Sequence, residues 1–227
     1  MNIYNTTVSS KKMLNSHMIE LDIKKPQDFV FTSGQFIQIL IPQADKQTPR
    51  AYSICSTETD PDLHFCIKIL EDGIGSNFIK NIKVGDGIQI KGPQGRFTCN
   101  DAEHPLLFVA TGAGMAPIIS QIRHQLEINK STRSIYLVFG VRHEDDLFWH
   151  EELQQLKDNY QNLHIDITLS QPTEQWQGLT GRVTAYIPDV TTDTQVFLCG
   201  SPAMVQEVRK ILIEKELDAK HIHFEIF

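Results

Sequence analysis

Up to about residue 100 the apolar positions come in short runs: "HMIELDI", "GQFIQILIP", "AYSIC", "LHFCIKIL" and "GIQIKGP". Each alternates at least in part and is bounded by Gly, Pro or Asp, the pattern of an antiparallel sheet or barrel. "VGDGIQIKGPQGRF" reads as the closing hairpin, and one short helix over residues 76–82 interrupts the strands. After His104 the period changes. Strand-like "PLLFVA", "SIYLVFG", "LHIDITLS", "TQVFLCG" and "IHFEIF" alternate with helical runs: residues 117–127, "DLFWHEELQQLKDN", a short turn near Val183 and "PAMVQEVRKILIEK". That order predicts a parallel sheet covered on both faces. The polar turn at residues 100–103 divides the chain into domains at 1–101 and 102–227.

Composition narrows the function classes. No apolar run reaches the length of a membrane span, and "MNIYNTTVSSKK" lacks the apolar core of a signal peptide, so a cytoplasmic protein is expected. Cys55, Cys66, Cys99 and Cys199 form no C-x-x-C pair, which argues against zinc, an iron–sulfur cluster or a disulfide framework. "WHEEL" begins like a zinc-protease motif, but Gln154 stands at the second ligand position, so no metal site is expected. The net charge of -7 disfavours nucleic acid or an anionic membrane as partner. It is unevenly spread: residues 1–102 hold 11 basic and 11 acidic side chains, and the remainder hold 10 and 17.

Three stretches carry candidate chemistry. In "LLFVATGAGMAPIISQI", Gly112 and Gly114 would let the backbone approach a phosphate at a helix N-terminus, with Pro117 as the first helical residue. Pro117 departs from the G-x-G-x-x-G pattern, and ligand-free parallel sheets turn this way too. In "PRAYSICS", strand geometry places Arg50 and Tyr52 on one face; Arg suits a phosphate and Tyr a flat heterocycle, although a solvated edge strand has the same look. In "EDGIGSNFI", the amides of Gly75, Ser76 and Asn77 would form a second anion cradle, or simply a capped turn. His221, His223, Phe148 and Trp149 read as surface or packing residues.

Taken together and in this order, the motifs resemble those of the ferredoxin-NADP reductase superfamily. R-x-Y-S stands at Arg50, Ala51, Tyr52 and Ser53, and the pyrophosphate loop at Gly75, Ser76 and Asn77, preceded by strand residues Ile67 and Lys68. The nicotinamide loop stands at Thr111, Gly112, Ala113, Gly114, Met115, Ala116 and Pro117. Y-G-x-R is matched by Phe139, Gly140, Val141 and Arg142, and C-G-x-P by Cys199, Gly200, Ser201 and Pro202, with Met204 just beyond.

The resemblance implies an N-terminal Greek-key β-barrel that binds FAD and a C-terminal doubly wound α/β domain that binds NAD(P). It further implies hydride transfer from nicotinamide to flavin, with Ser53, Cys199, Glu225 and Phe227 as catalytic residues. Electrons would pass to a separate redox acceptor protein. Alternatives are a reductase of free flavin, a non-catalytic flavin-binding subunit that docks a partner, and a methyltransferase-like second half, the last weakened by Arg142 where an acidic residue belongs. No C-x4-C-x2-C ferredoxin segment is present.

Relatives that take NADPH often carry Ser-Arg after the third strand; here Ser170-Gln171 favours NADH, although Arg142 and Arg182 offer charge. Lys80, Lys83 and Lys91 mark the barrel as the side for an acidic acceptor. In "HFEIF", burying Phe224 and Ile226 would turn Glu225 and Phe227 together towards the site; the alternative is a frayed terminus.

Overall fold

A computed structural model describes residues 2–44, 46–100 and 103–227. The first unit contains β1 (Asn2–Asn15), β2 (Met18–Lys24), β3 (Phe36–Pro42), β4 (Gln47–Ser53), β5 (Asp62–Lys68), α1 (Ile74–Asn81) and β6 (Gly87–Gln94). The strands form one antiparallel sheet in the order β4-β3-β6-β1-β2-β5. It curls so that its ends meet, the Cys55 N–H donating to the His64 carbonyl (2.8 Å). Alternation explains the inside: Ile19, Leu21 and Ile23 of β2 point inward with Ile37, Ile39, Leu63, Phe65 and Ile90, while Glu20 and Asp22 face out.

Two features differ from the sequence reading. β1, the longest strand, has the polar sequence NIYNTTVSSKKMLN with only Val8 fully buried, so it carries almost no hydrophobic signal. Its place comes from main-chain pairing, first with β6 and then with β2. The expected closing hairpin is not formed either: residues 87–94 make a single strand between β1 and β3.

The second unit contains β7 (Leu106–Thr111), α2 (Met115–Arg123), β8 (Ile135–Val141), α3 (His150–Asn159), β9 (Leu163–Leu169), the two-residue β10 (Leu179–Thr180), β11 (Gln195–Gly200), α4 (Pro202–Glu214) and β12 (Ile222–Ile226). All pairs are parallel, in the order β10-β9-β8-β7-β11-β12. The chain winds outward from β7 in both directions, so the switch point lies between β7 and β11. Leu106, Phe108 and Ala110 face the barrel side with α2 and α3, and Leu107 and Val109 face α4. Among the described residues no helix is long and apolar enough to cross a membrane.

The proposed boundary at 101/102 lies outside the described residues, but the junction around it is dense. Met18, Cys55, Cys66 and Phe97 of the barrel share a core with Met115, Ile118 and Ile122. Ser120 donates to the Ser56 carbonyl (2.6 Å), Arg123 grips Asp60 with two nitrogens (2.7 and 3.1 Å), and His124 meets Glu58 (2.8 Å).

Candidate functional site

Arg50 and Tyr52 lie two apart on β4 and therefore on one face, as expected, and α1 approaches that face through its second residue, Gly75. A Cβ at Gly75 would land on the Tyr52 hydroxyl, with Arg50 Cγ at a contact distance of 3.4 Å, so glycine here lets the Tyr52 hydroxyl close onto the start of α1. Arg50 is exposed and donates to the Pro49 carbonyl (2.9 Å) instead of to a carboxylate, which leaves its charge available at the start of α1. The cradle is narrower than expected. The Asn77 N–H already donates to the Gly73 carbonyl (2.8 Å) and the Ser76 hydroxyl accepts from the Leu70 N–H (2.8 Å), so the amides of Gly75 and Ser76 remain. Ile67 points into the barrel core; the exposed Lys68 is the side chain of that pair open to a ligand.

Ser53, next to Tyr52, is buried, and among the described residues its hydroxyl has no hydrogen-bond partner. A buried orphan hydroxyl costs free energy unless something supplies a partner. A flavin ring nitrogen would do so. The Arg50–Tyr52–Gly75 cradle and the orphan Ser53 hydroxyl together fit FAD.

At the switch point the glycines do different jobs. Gly112 has φ +52 with open space above it, so it serves conformation and leaves room for a ligand. Gly114 is required by packing: a Cβ there would strike the Cys199 carbonyl and lie 2.8 Å from the Gly200 nitrogen, so this glycine seats the loop on β11. Gly200, at φ +151, would drive a Cβ into the Thr111 hydroxyl and to 3.0 Å from Met204 Cε. Gly140 likewise makes room for Val183 (2.5 Å). Ala116 and Met204 are core residues, so their side chains are withdrawn from a ligand; Ala113 is half-buried beside them. Pro117 is the third residue of α2, still within the first turn, where no N–H partner is lost. Pro202 begins α4, and Ser201 caps it by accepting from the Met204 N–H (3.3 Å).

β12 brings Glu225 into register with Cys199. Burial, and then the nearby Glu225 charge, push the Cys199 thiol far above its ordinary range. It is a neutral thiol. Burial also raises the Glu225 carboxyl to about 7. The expected alternation exists with its faces exchanged: Phe224 and Ile226 are 47% and 49% exposed beside α4, while Glu225 and His223 turn inward, His223 stacking on Phe197 (4.8 Å). Phe197 and the α2 side already fill that inner core, so Phe224 has no cavity to enter. The terminus is not frayed, because the Phe227 N–H donates to the Gly200 carbonyl (3.1 Å). By period, the exposed Phe227 ring shares the Glu225 face.

Arg142, just past β8, is exposed, and its carbonyl accepts from the Gln171 N–H (2.8 Å). Arg182 lies 3.9 Å from Glu207. Beside them His143, Glu144, Asp145, Thr173, Gln175 and Trp176 line a cleft of about 400 Å³ that sequence reasoning did not identify. Glu144 accepts from the Thr173 N–H and hydroxyl (2.8 and 2.7 Å), and the hydroxyl, first, holds its carboxyl below the usual range. These partners are 29 residues apart, beyond any local pattern.

The two halves match two domain families: residues 5–99 the oxidoreductase FAD-binding domain and residues 108–210 the oxidoreductase NAD-binding domain. Ferredoxin--NADP reductase B of Sorangium cellulosum is 31% identical over 209 residues, covering 87% of this chain and 85% of that protein. The toluate 1,2-dioxygenase electron transfer component of Pseudomonas putida is 28% identical over 99% of this chain and 67% of its own length. Other relatives are longer, this chain spanning 50–63% of them. A ferredoxin NADP+ reductase from Neisseria gonorrhoeae, solved with FAD and NADP bound, superposes with a TM-score of 0.87 at 21% identity over 100% of this chain and 99% of that one. The antiparallel barrel, the doubly wound parallel sheet, the two matching domain families and the reductase relatives agree: the chain belongs to the ferredoxin-NADP reductase superfamily and is an FAD- and nicotinamide-dependent oxidoreductase.

Proposed function

We propose that this enzyme takes electrons from NADH and delivers them through FAD to a separate one-electron acceptor, an iron–sulfur protein or oxygenase component. The observation that carries the reading is the meeting of Arg50, Tyr52 and Gly75 beside the orphan Ser53 hydroxyl. Bound FAD would supply acceptance of a hydride and its release as single electrons. Arg50 and the free amides of α1 would hold the diphosphate, Tyr52 would pack on the ring, and Ser53 would supply a hydrogen-bond donor. On the facing domain the open loop at Gly112 and the start of α4 receive the dinucleotide. The neutral Cys199 thiol fills space beside the nicotinamide without adding charge, and Glu225 can hold a proton there below about pH 7. The exposed Phe227 ring would shield a bound flavin from water.

NADH is favoured because Gln171 offers no charge to a 2'-phosphate. Exposed Lys80 and Lys83, flanking the end of α1, support docking of an acidic acceptor on the barrel. The test is an anaerobic NADH titration followed at the flavin absorbance, then reoxidation by ferredoxin, cytochrome or free flavin. Reoxidation fastest with free flavin would replace the protein acceptor in this reading.

A further inference from the structure

We propose that Glu20 and Trp149 form a latch across the two domains that positions residues 142–149 for the nicotinamide dinucleotide. Trp149, at the N-terminus of α3, has φ 57 and ψ 25, a left-handed conformation that is an outlier for a bulky side chain. Such a residue persists only where its surroundings hold it. Here the indole N–H donates to Glu20 Oε2 on β2 (2.8 Å), and Lys12 of β1 holds the other carboxylate oxygen (3.0 Å). The Trp149 carbonyl accepts the Leu153 N–H (2.8 Å), beginning α3.

From Trp149 the contact runs into the site. Its ring meets Phe148 edge-on (5.0 Å), and Phe148 meets Phe139 of β8 the same way (5.5 Å). Phe139 precedes Gly140, Val141 and Arg142. A second barrel contact holds the middle of the segment: Asn15 Nδ2 donates to the Asp146 carbonyl (3.1 Å), while Asp146 accepts from the His143 N–H (3.1 Å). His143, Glu144 and Asp145 then wall the cleft. On the barrel side Glu20 is in register with Cys66, next to Ile67 and Lys68, on the strand that leads to the FAD loop. The latch therefore joins the strand behind one cofactor to the loop in front of the other. Glu20 and Trp149 are positioning residues: neither is part of the cradle or the switch-point loop.

This inference rests on the proposal that the 142–145 segment receives the dinucleotide, and the test separates the two. Trp149→Phe keeps an aromatic ring and removes the donor; Glu20→Leu removes the acceptor; Glu20→Gln keeps an acceptor oxygen. With the holoenzyme, NADH and ferricyanide as electron acceptor, Trp149→Phe and Glu20→Leu should each raise the KM for NADH about tenfold, the loss of one hydrogen bond. The rate at saturating NADH and the flavin per chain should stay within twofold. Glu20→Gln should behave like wild type, and the double variant should be no worse than either single one. Trp149→Gly, which suits the left-handed backbone, keeps the test open should Trp149→Phe fold poorly, and should show the same rise. An unchanged KM in Trp149→Phe (or Trp149→Gly) and Glu20→Leu, or a loss of flavin in proportion to activity, overturns the latch. Arg142→Ala is the control: wild-type KM there with a raised KM in the latch variants keeps the latch and removes Arg142 from the site.

Discussion

Glu225 stands opposite Cys199 in the β11–β12 pairing beside the switch point: burial raises both groups, and the Glu225 charge further opposes ionisation of the Cys199 thiol. The Glu225 carboxyl, raised to about 7 from an ordinary value of 4.5, binds its proton more tightly folded than unfolded. Stability from this group is complete below about pH 4.5 and is lost as pH rises through 7. Glu225→Gln should therefore match wild type in acid and exceed it above pH 7 by on the order of 1 kcal/mol, after screening at a partly exposed site. Thermal melts at pH 4.5 and 8 check the sign. Flavin content should not change, while stopped-flow reduction by NADH should slow.

Gly75→Ala should strip the flavin. Its new methyl group clashes with the Tyr52 hydroxyl and pushes that ring away from α1, so the cradle opens without damage to the barrel core. Arg50→Ala should have the same result by removing a charge-assisted contact of about 1.5–3 kcal/mol. Both should purify pale or lose colour on dialysis with an unchanged circular dichroism spectrum; full retention of yellow colour would refute the cradle.

Gly114→Ala separates packing from binding. A Cβ there meets main-chain atoms of Cys199 and Gly200, which cannot swing aside, so the variant should lose about 2–4 kcal/mol of stability. Gly112→Ala meets open space and pays only for its positive φ, roughly 1 kcal/mol. Denaturant melts of the two without any nucleotide should differ accordingly; equal losses would contradict the assignment of Gly114 to β11.

Much of this was legible in the sequence because burial imposes a period. Ile19, Leu21 and Ile23 announce β2, and the continuous apolar run at 106–110 announces a strand covered on both faces. β1 was hidden because its pairing uses main-chain groups that every residue carries. Gly112 and Gly114 look alike in the sequence, yet one faces solvent and the other a carbonyl, a difference that exists only once β11 is laid beside β7. The Arg123–Asp60, His124–Glu58 and Trp149–Glu20 pairs join residues 63, 66 and 129 apart, where no local periodicity reaches. The exchange of faces on β12 has a similar cause: which face is inside depends on Phe197 and not on the strand itself.

The Arg123–Asp60 pair supports a last prediction, about the domain junction. Burial alone would raise the Asp60 carboxyl, but the Arg123 guanidinium and the Thr57 N–H bonded to it hold it below its ordinary value. Its contribution is present above pH 3.8 and is lost as pH falls through the lowered value. Asp60→Asn keeps one acceptor oxygen but removes the carboxylate charge, leaving Arg123 ion-paired with Glu127 on its own helical segment, so this one tie between the domains is weakened while the charge keeps a partner. The loss at pH 7 should be about 1–2 kcal/mol, smaller than for a wholly unpaired buried charge. Above pH 5 the deficit should be constant, and below about pH 3.5 it should shrink as wild type loses the same interaction. Because the pair sits far along α2 from the Gly112 loop, flavin content should hold while the rate of flavin reduction by NADH falls if the domains separate. Denaturant melts across pH 3 to 8, read beside flavin reduction rates, test both parts, and a pH-independent deficit would remove Asp60 from the acid response.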